Sequence, residues 1–438
     1  MAEVPIRAGV AREVISPPRG IYQVGYGNRS RGNRGTHDDL TATALVLDDG
    51  TRRLALVACD LLCLNEYIVD RIRVYPGITA EPIVACSHTH SGAIAYADER
   101  SSAANRAYID TLVERIGRAI QQAEAALAPA ELAWTEGEAA IAVNRRERAA
   151  DGTIKTGVNP QGPADRWLQV VSVRRPGGAP VATVVNLACH GTVLGPENLL
   201  VSADWPGAMR ARLEQAVGGL ALFLQGAAGD LNPHVNVQTP EAGWAAVRSL
   251  GEEVANAALE ACARGTTPLL GRPIGLVRQE LWLPLEAAAF SDSPPPTYRR
   301  PLTRVAGLPT WLAWLVDPLL DRRYPWRSRV EAQRGLWHVP LRINAARIGD
   351  LALVTFAAET FTEIGMAIKA ASPARHTLFA SVSDGCIGYL PTAGAHDQGG
   401  YEVDQAPYFY RYPGRLARDC AERAIDAAAR ALSQVWQA

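Results

Sequence analysis

Long apolar runs, a charge surplus of either sign and paired cysteines are all missing from this sequence, and lysine occurs only twice, at Lys155 and Lys369. No stretch approaches the ~20 consecutive apolar residues of a membrane-spanning helix. Lysine plus arginine number 44 and aspartate plus glutamate 45, a formal net charge of -1. Without a basic surplus there is no electrostatic footprint for phosphate backbones, so nucleic acid is excluded as a partner. Cys59, Cys63, Cys86, Cys189, Cys262, Cys386 and Cys420 are scattered and include no Cys-x-x-Cys pair. That usage fits a reducing compartment, with most of the thiols acting as small hydrophobes. The opening Met-Ala-Glu-Val-Pro-Ile-Arg has no charged-then-apolar leader pattern, and a cytoplasmic location is expected.

Several catalytic signatures are also lacking. There is no Gly-x-Ser-x-Gly, which disfavours an ordinary serine hydrolase. No Gly-Lys-Ser/Thr phosphate loop and no His-Glu-x-x-His helix occurs. Gly25-Tyr26-Gly27-Asn28-Arg29-Ser30 begins like a dinucleotide fingerprint but lacks the third glycine and a preceding strand. No internal repeat is visible.

What is present is an ordinary globular composition, 48% hydrophobic and 20% charged. Leu54–Cys59, Ile83–Cys86, Val181–Cys189, Leu220–Leu224, Leu351–Phe356 and Thr377–Val382 are nearly continuous apolar runs, as expected of strands buried on both faces. Between them, residues 103–128, 242–264 and 415–436 carry apolar side chains at helical spacing. The alternation predicts an α/β fold, a layered mixed sheet with flanking helices, formed by residues 1–438 as a single domain. A stretch at about 284–337 differs, with Pro294-Pro295-Pro296, seven arginines from Arg299 to Arg329, and Trp311, Trp314, Trp326 and Trp337. It reads either as an irregular insertion or as a lid over an apolar substrate.

Chemistry gathers where the strands end. Ligands in open α/β sheets bind beyond the strands' carboxyl ends, and five of these runs lead into Asp60, His88-Thr89-His90, His190, Asp230 or Glu359. In an extended segment, residues i and i+2 face one side about 7 Å apart, so His88 and His90 are expected to share a pocket. With His190 and Glu359 they match a catalytic metal site of nitrogen and oxygen ligands, or a satisfied polar core. Glu359 can equally cap a helix starting near Thr360. Asp60 and Asp204 either orient ligating histidines or cap turns. The loop from Arg29 through Arg31 to Arg34 offers guanidinium groups suited to a carboxylate or phosphate.

In order along the chain, Ala8-Gly9-Val10-Ala11-Arg12-Glu13-Val14-Ile15-Ser16-Pro17, Gly25-Tyr26-Gly27, Ser87-His88-Thr89-His90-Ser91-Gly92, Asn144-Arg145, His190-Gly191-Thr192, Ser202-Ala203-Asp204, Gly388-Tyr389 and Tyr401-Glu402 make a pattern. It resembles the catalytic domain of the neutral, non-lysosomal ceramidases, zinc-dependent amidases that cleave fatty acid from a sphingoid base. The resemblance covers about residues 8–402 and leaves out that family's C-terminal immunoglobulin-like domain. It implies that Zn2+ is held by His88, His190, Glu359 and Tyr389. His90 is implied as general base and then acid, with Arg145 and Tyr401 on the substrate carbonyl. Gly27 and Asn232 are implied at the substrate.

The pattern departs from the family at two places. The Ser-Pro that follows the family's Asn-Arg is absent here. Gly229-Asp230-Leu231-Asn232-Pro233-His234 carries an amide, Asn232, where the family has a serine; an amide donates to an oxygen but supplies no hydroxyl nucleophile. The expected activity is hydrolysis of an amide, ceramide-like or smaller, by a metal-activated water. An ester or lactone hydrolase and a non-catalytic binding protein are the alternatives. Partners are expected to be a small-molecule or lipid-like amide and, at most, further copies of the chain as a homo-oligomer. His37, His234, His338, His376 and His396 remain unassigned.

Overall fold

The six expected strands form three parallel pairs. Arg53–Cys59 pairs with Glu81–Cys86, Pro180–Leu187 with Leu220–Gln225, and Leu351–Phe356 with His376–Ala380. The computed structural model describes residues 6–286 and 330–437, apart from positions 28, 30, 94, 96–102, 334, 335, 411 and 413. Each pair closes one edge of a larger sheet whose remaining strands run antiparallel. The first sheet adds Thr41–Asp48 and Arg7–Val14, the second Trp167–Arg174 and Glu131–Glu138, the third Leu336–Ile348 and Ile274–Glu286.

A topological repeat emerges that the sequence does not display. Each unit is a three-strand antiparallel meander, a crossover helix, a parallel fourth strand and a closing helix. The crossover helices are Glu66–Arg73, Asp204–Val217 and Thr362–Ala371; the closing helices are Ala103–Ala125, Pro240–Arg264 and Cys420–Gln437. The expectation of no repeat therefore holds for residue identity and fails for topology, because the repeat lies in the order and polarity pattern of the elements.

Period-two alternation places the core. Leu45, Leu56 and Ile83 of the first sheet join Val171, Val184 and Leu222 of the second and Ala346, Leu353 and Leu378 of the third in one central cluster. Their neighbours one residue along face outward onto helices. Val57 and Val84 pack on Leu112 and Ile116, Val185 and Phe223 on Met209 and Val254, and Val354 and Phe379 on Ile364 and Leu432. Burying each such side chain contributes roughly 1.5–3 kcal/mol relative to exposure.

The three fourth strands present their edges to one another. Beyond their ends, the Cys86 amide donates to Val382 O (3.1 Å), Asp384 to Val84 O (2.8 Å) and Ser381 to Gln225 O (2.8 Å). These bonds satisfy edge groups that would otherwise be orphaned, and they bring the carboxyl-terminal loops of all three sheets together. The stretch at about 284–337 lies largely outside the described residues. Its two ends, up to Glu286 and from Leu336, extend strands of the third sheet. No helix among the described residues is long and apolar enough to cross a membrane.

Candidate metal centre

Three buried donor atoms meet where those loops converge. His88 Nε2 lies 3.1 Å from His190 Nε2, and Glu359 Oε2 lies 3.2 Å from the first and 3.5 Å from the second. Backbone carbonyls set both imidazoles. The Nδ1 of His88 contacts Leu62 O at 2.8 Å, and that of His190 contacts Ala228 O at 2.8 Å and Leu231 O at 2.9 Å. A carbonyl only accepts, so each Nδ1 carries a proton, and a neutral imidazole held in this way presents its Nε2 lone pair.

Two facing lone pairs and a carboxylate oxygen have nothing to donate to one another. Glu359 Oε2 accordingly has no hydrogen-bond partner. A cation resolves this arrangement. Metal–ligand bonds of about 2.0–2.1 Å in a tetrahedron put neighbouring donors about 3.3–3.4 Å apart, and the observed triangle matches. His88, His90 and His190 form a second set able to hold a metal, with all three donor atoms within 4.8 Å of one another.

The electrostatics favour deprotonated ligands, as metal binding requires. Burial, and then the Arg145 guanidinium, lower His190 to about 4. Burial first, then His88 and His190, push His90 well down.

His88 and His90 do share the pocket, by a different route from the one expected. His88 takes a left-handed backbone, φ 60°, a costly conformation for a residue bearing a Cβ. The segment is a turn, not an extended strand, and the two rings sit edge to face at 5.1 Å. Neither ring nitrogen of His90 has a hydrogen-bond partner. Packing orients it instead, with the Tyr26 ring 5.0 Å away edge to face.

Arg145 and Asn232 reach the same place on two paired strands, Ala142–Arg148 and Leu231–Pro233. Arg145 Nη1 is 3.5 Å from His190 Nε2 and donates to Asn232 Oδ1 at 3.3 Å, while Nη2 has no partner. Its guanidinium lies 5.2 Å above the Tyr389 ring. Tyr389 pairs in register with Glu359 along the backbone, and its ring meets that of Tyr401 at 5.7 Å. Burial, then Glu359 and Tyr401, raise the Tyr389 hydroxyl, partly opposed by Arg145; burial pushes Tyr401 up to about 12.

A profile of the neutral/alkaline non-lysosomal ceramidase N-terminal region matches residues 7–259, more than half of the chain. The chain belongs to the neutral/alkaline non-lysosomal ceramidase family. It is 28% identical over 249 residues to a neutral ceramidase of Mycobacterium tuberculosis, covering 49% of this chain and 38% of that protein. It is 24% identical over 477 aligned positions to a neutral ceramidase of Pseudomonas aeruginosa, covering 93% of this chain and 70% of that protein. A ceramidase structure complexed with C2 superposes with a TM-score of 0.75 at 20% identity, over 99% of this chain and 76% of the other. The solved P. aeruginosa neutral ceramidase gives 0.74 at 20% identity, over 99% and 75%. These superpositions establish a shared fold.

Seen as a ceramidase-family site, the cluster brings together His88, His90, His190, Glu359, Tyr389, Arg145, Tyr401 and Asn232. Gly27 is not brought in; it occupies an exposed turn. The glycine that touches the site is Gly25, at φ 105°, where a Cβ would fall 2.5 Å from the His90 ring. The two histidines are oriented by backbone and not by Asp60 or Asp204. Asp60 forms a buried bidentate pair with Arg210 at 2.5 and 2.6 Å, and Asp204 accepts from the Leu194 and Trp205 amides.

Arg29 does not serve as a free anion reader either. Its guanidinium donates to the carbonyls of Val24, His90, Gly195 and Pro196. No role was legible in the sequence for Glu402, present there only within the Tyr401-Glu402 motif, or for Tyr410. Glu402 bridges Arg145 (2.9 Å) and Arg146 (2.6 Å), and Tyr410 donates to Glu359 Oε1 at 2.6 Å. A buried carboxylate following a tyrosine gives no signal of its partners, although adjacent arginines in a strand do ask for one.

Proposed function

We propose that this protein is a zinc-dependent amidase that hydrolyses an N-acyl compound. The observation carrying this reading is the buried triangle of His88 Nε2, His190 Nε2 and Glu359 Oε2, a donor set without protons to share. His88, His190, Glu359 and Tyr389 would hold the ion, and the family supports zinc. Bound there, zinc would act as a Lewis acid and lower the pKa of a water toward ~7.

The chain's own groups supply the rest. His90, unprotonated and unpaired, accepts a proton and returns it to the departing amine, the proton moving on and off a ring nitrogen. Arg145 Nη2, buried and without an internal acceptor, is a donor for the carbonyl oxygen as negative charge develops there. Tyr401, kept protonated by burial, is a second donor. Asn232 Oδ1 is engaged by Arg145, so this residue positions the guanidinium and adds no hydroxyl.

The direct test is release of free amine from a short-chain N-acyl sphingosine and from simpler N-acyl amines, with matched esters alongside. Amide turnover supports the reading; turnover of esters alone replaces it with an esterase. The serine variant Asn232→Ser is expected to shift the ratio of ceramide-like to simple amide turnover, measured as kcat/KM for each. Gly25→Ala is expected to lower kcat by roughly 100-fold, the scale of a misplaced catalytic group, with metal content unchanged by elemental analysis. A Cβ at that position must displace the His90 ring.

A further inference from the structure

Resting on the metal reading above, we infer that Tyr410 is a positioning residue that fixes how Glu359 meets the metal. A carboxylate offers two oxygens and several lone pairs, and in an unconstrained site it can rotate or bind through both. Here the two oxygens are differentiated. The Tyr410 hydroxyl donates to Oε1 at 2.6 Å, while Oε2 points at both histidine Nε2 atoms and has no hydrogen-bond partner. The phenol therefore assigns one oxygen to itself and one to the ion, and holds the carboxylate plane against rotation.

The surrounding chain is built for this contact. Gly388, at φ 86°, leaves space that a Cβ would fill, since that atom would lie 2.5 Å from the Tyr410 ring. The same glycine's carbonyl accepts the Glu359 amide at 2.7 Å, and the next residue is Tyr389. One dipeptide thus admits the Tyr410 ring, anchors the Glu359 backbone and carries another metal-site residue. A neutral phenol is the suitable donor here, because it restrains the carboxylate without cancelling the charge the cation needs.

The test uses Tyr410→Phe, which keeps the ring and removes one oxygen. Tyr108→Phe, which removes a buried hydroxyl bonded to Ile15 O from the helix Ala103–Ala125, controls for the loss of any buried hydrogen bond. Cobalt(II) affinity is measured by competition with a chromophoric chelator, together with the visible absorption of the cobalt-loaded protein. Tyr410→Phe should weaken binding about 10–100-fold and alter the absorption bands, while Tyr108→Phe does neither. Parent-like affinity and bands in Tyr410→Phe overturn this inference and leave the metal site standing. A parent that binds no cobalt, or binds it equally after His190→Ala, overturns the metal site and this inference with it.

Discussion

Replacing His190 with alanine should remove metal and turnover together. Parent protein purified without chelator is expected to carry about one zinc per chain, and the variant little or none by elemental analysis. Turnover of the N-acyl substrate should fall at least about 1000-fold, the upper range for losing a single group that stabilises developing charge. The geometry makes His190 the pivot of the site. Its Nε2 is 3.1 Å from that of His88, 3.5 Å from Glu359 Oε2 and 3.5 Å from Arg145 Nη1. Two backbone carbonyls fix its tautomer from the other side. Alanine removes a donor from the metal set and the ring nitrogen that Arg145 Nη1 approaches at 3.5 Å. Full activity in the variant, or an unchanged metal content, would rule out the proposed site.

The second large effect is on stability, at Glu402. This buried carboxylate accepts from Arg145 Nε at 2.9 Å and from Arg146 Nη1 at 2.6 Å, and both arginines are themselves buried. Removing one member of a buried ion pair leaves an uncompensated charge and costs about 3–5 kcal/mol. Glu402→Ala leaves two such charges, so a loss at the upper end is expected, read from the urea midpoint at constant slope. Glu402→Gln keeps the shape and should fall between. Burial would raise the Glu402 pKa, but Arg145 and Arg146 override it and lower it. A carboxyl lowered on folding stabilises the protein fully above its unfolded value of about 4.3 and loses that contribution as pH falls through the native value. The gap between parent and Glu402→Gln should therefore be widest near neutral pH and close in acid. A gap that does not vary with pH would show that charge is not its cause.

His88, His190 and Glu359 were legible in the sequence as candidate metal donors for a physical reason, whereas Tyr389 entered only through the family resemblance. Strands buried on both faces are continuous apolar runs, so Pro180–Leu187 and Leu351–Phe356 announce themselves, and a polar residue just past such a run stands out. The antiparallel strands were silent. Ala142–Arg148 carries Arg145, Arg146 and Arg148 and reads as a polar connection, since nothing local shows that Glu402 lies opposite. For the same reason nothing local chose between the two readings of Asp60 and Asp204, which arginine and backbone amides hold, and nothing singled out Gly25 beside His90.

By itself, then, the sequence determined the layered α/β class, the six buried strands and the residue types able to hold a metal, because period, run length and donor chemistry are local properties. The tertiary structure alone decided the threefold repetition of the sheets, the left-handed turn that faces His88 toward His190, the Glu402 bridge and the Tyr410 contact. Each of these depends on groups from 51 to 257 residues apart or on backbone angles, and proximity across such separations is fixed only when the three sheets close around their common core.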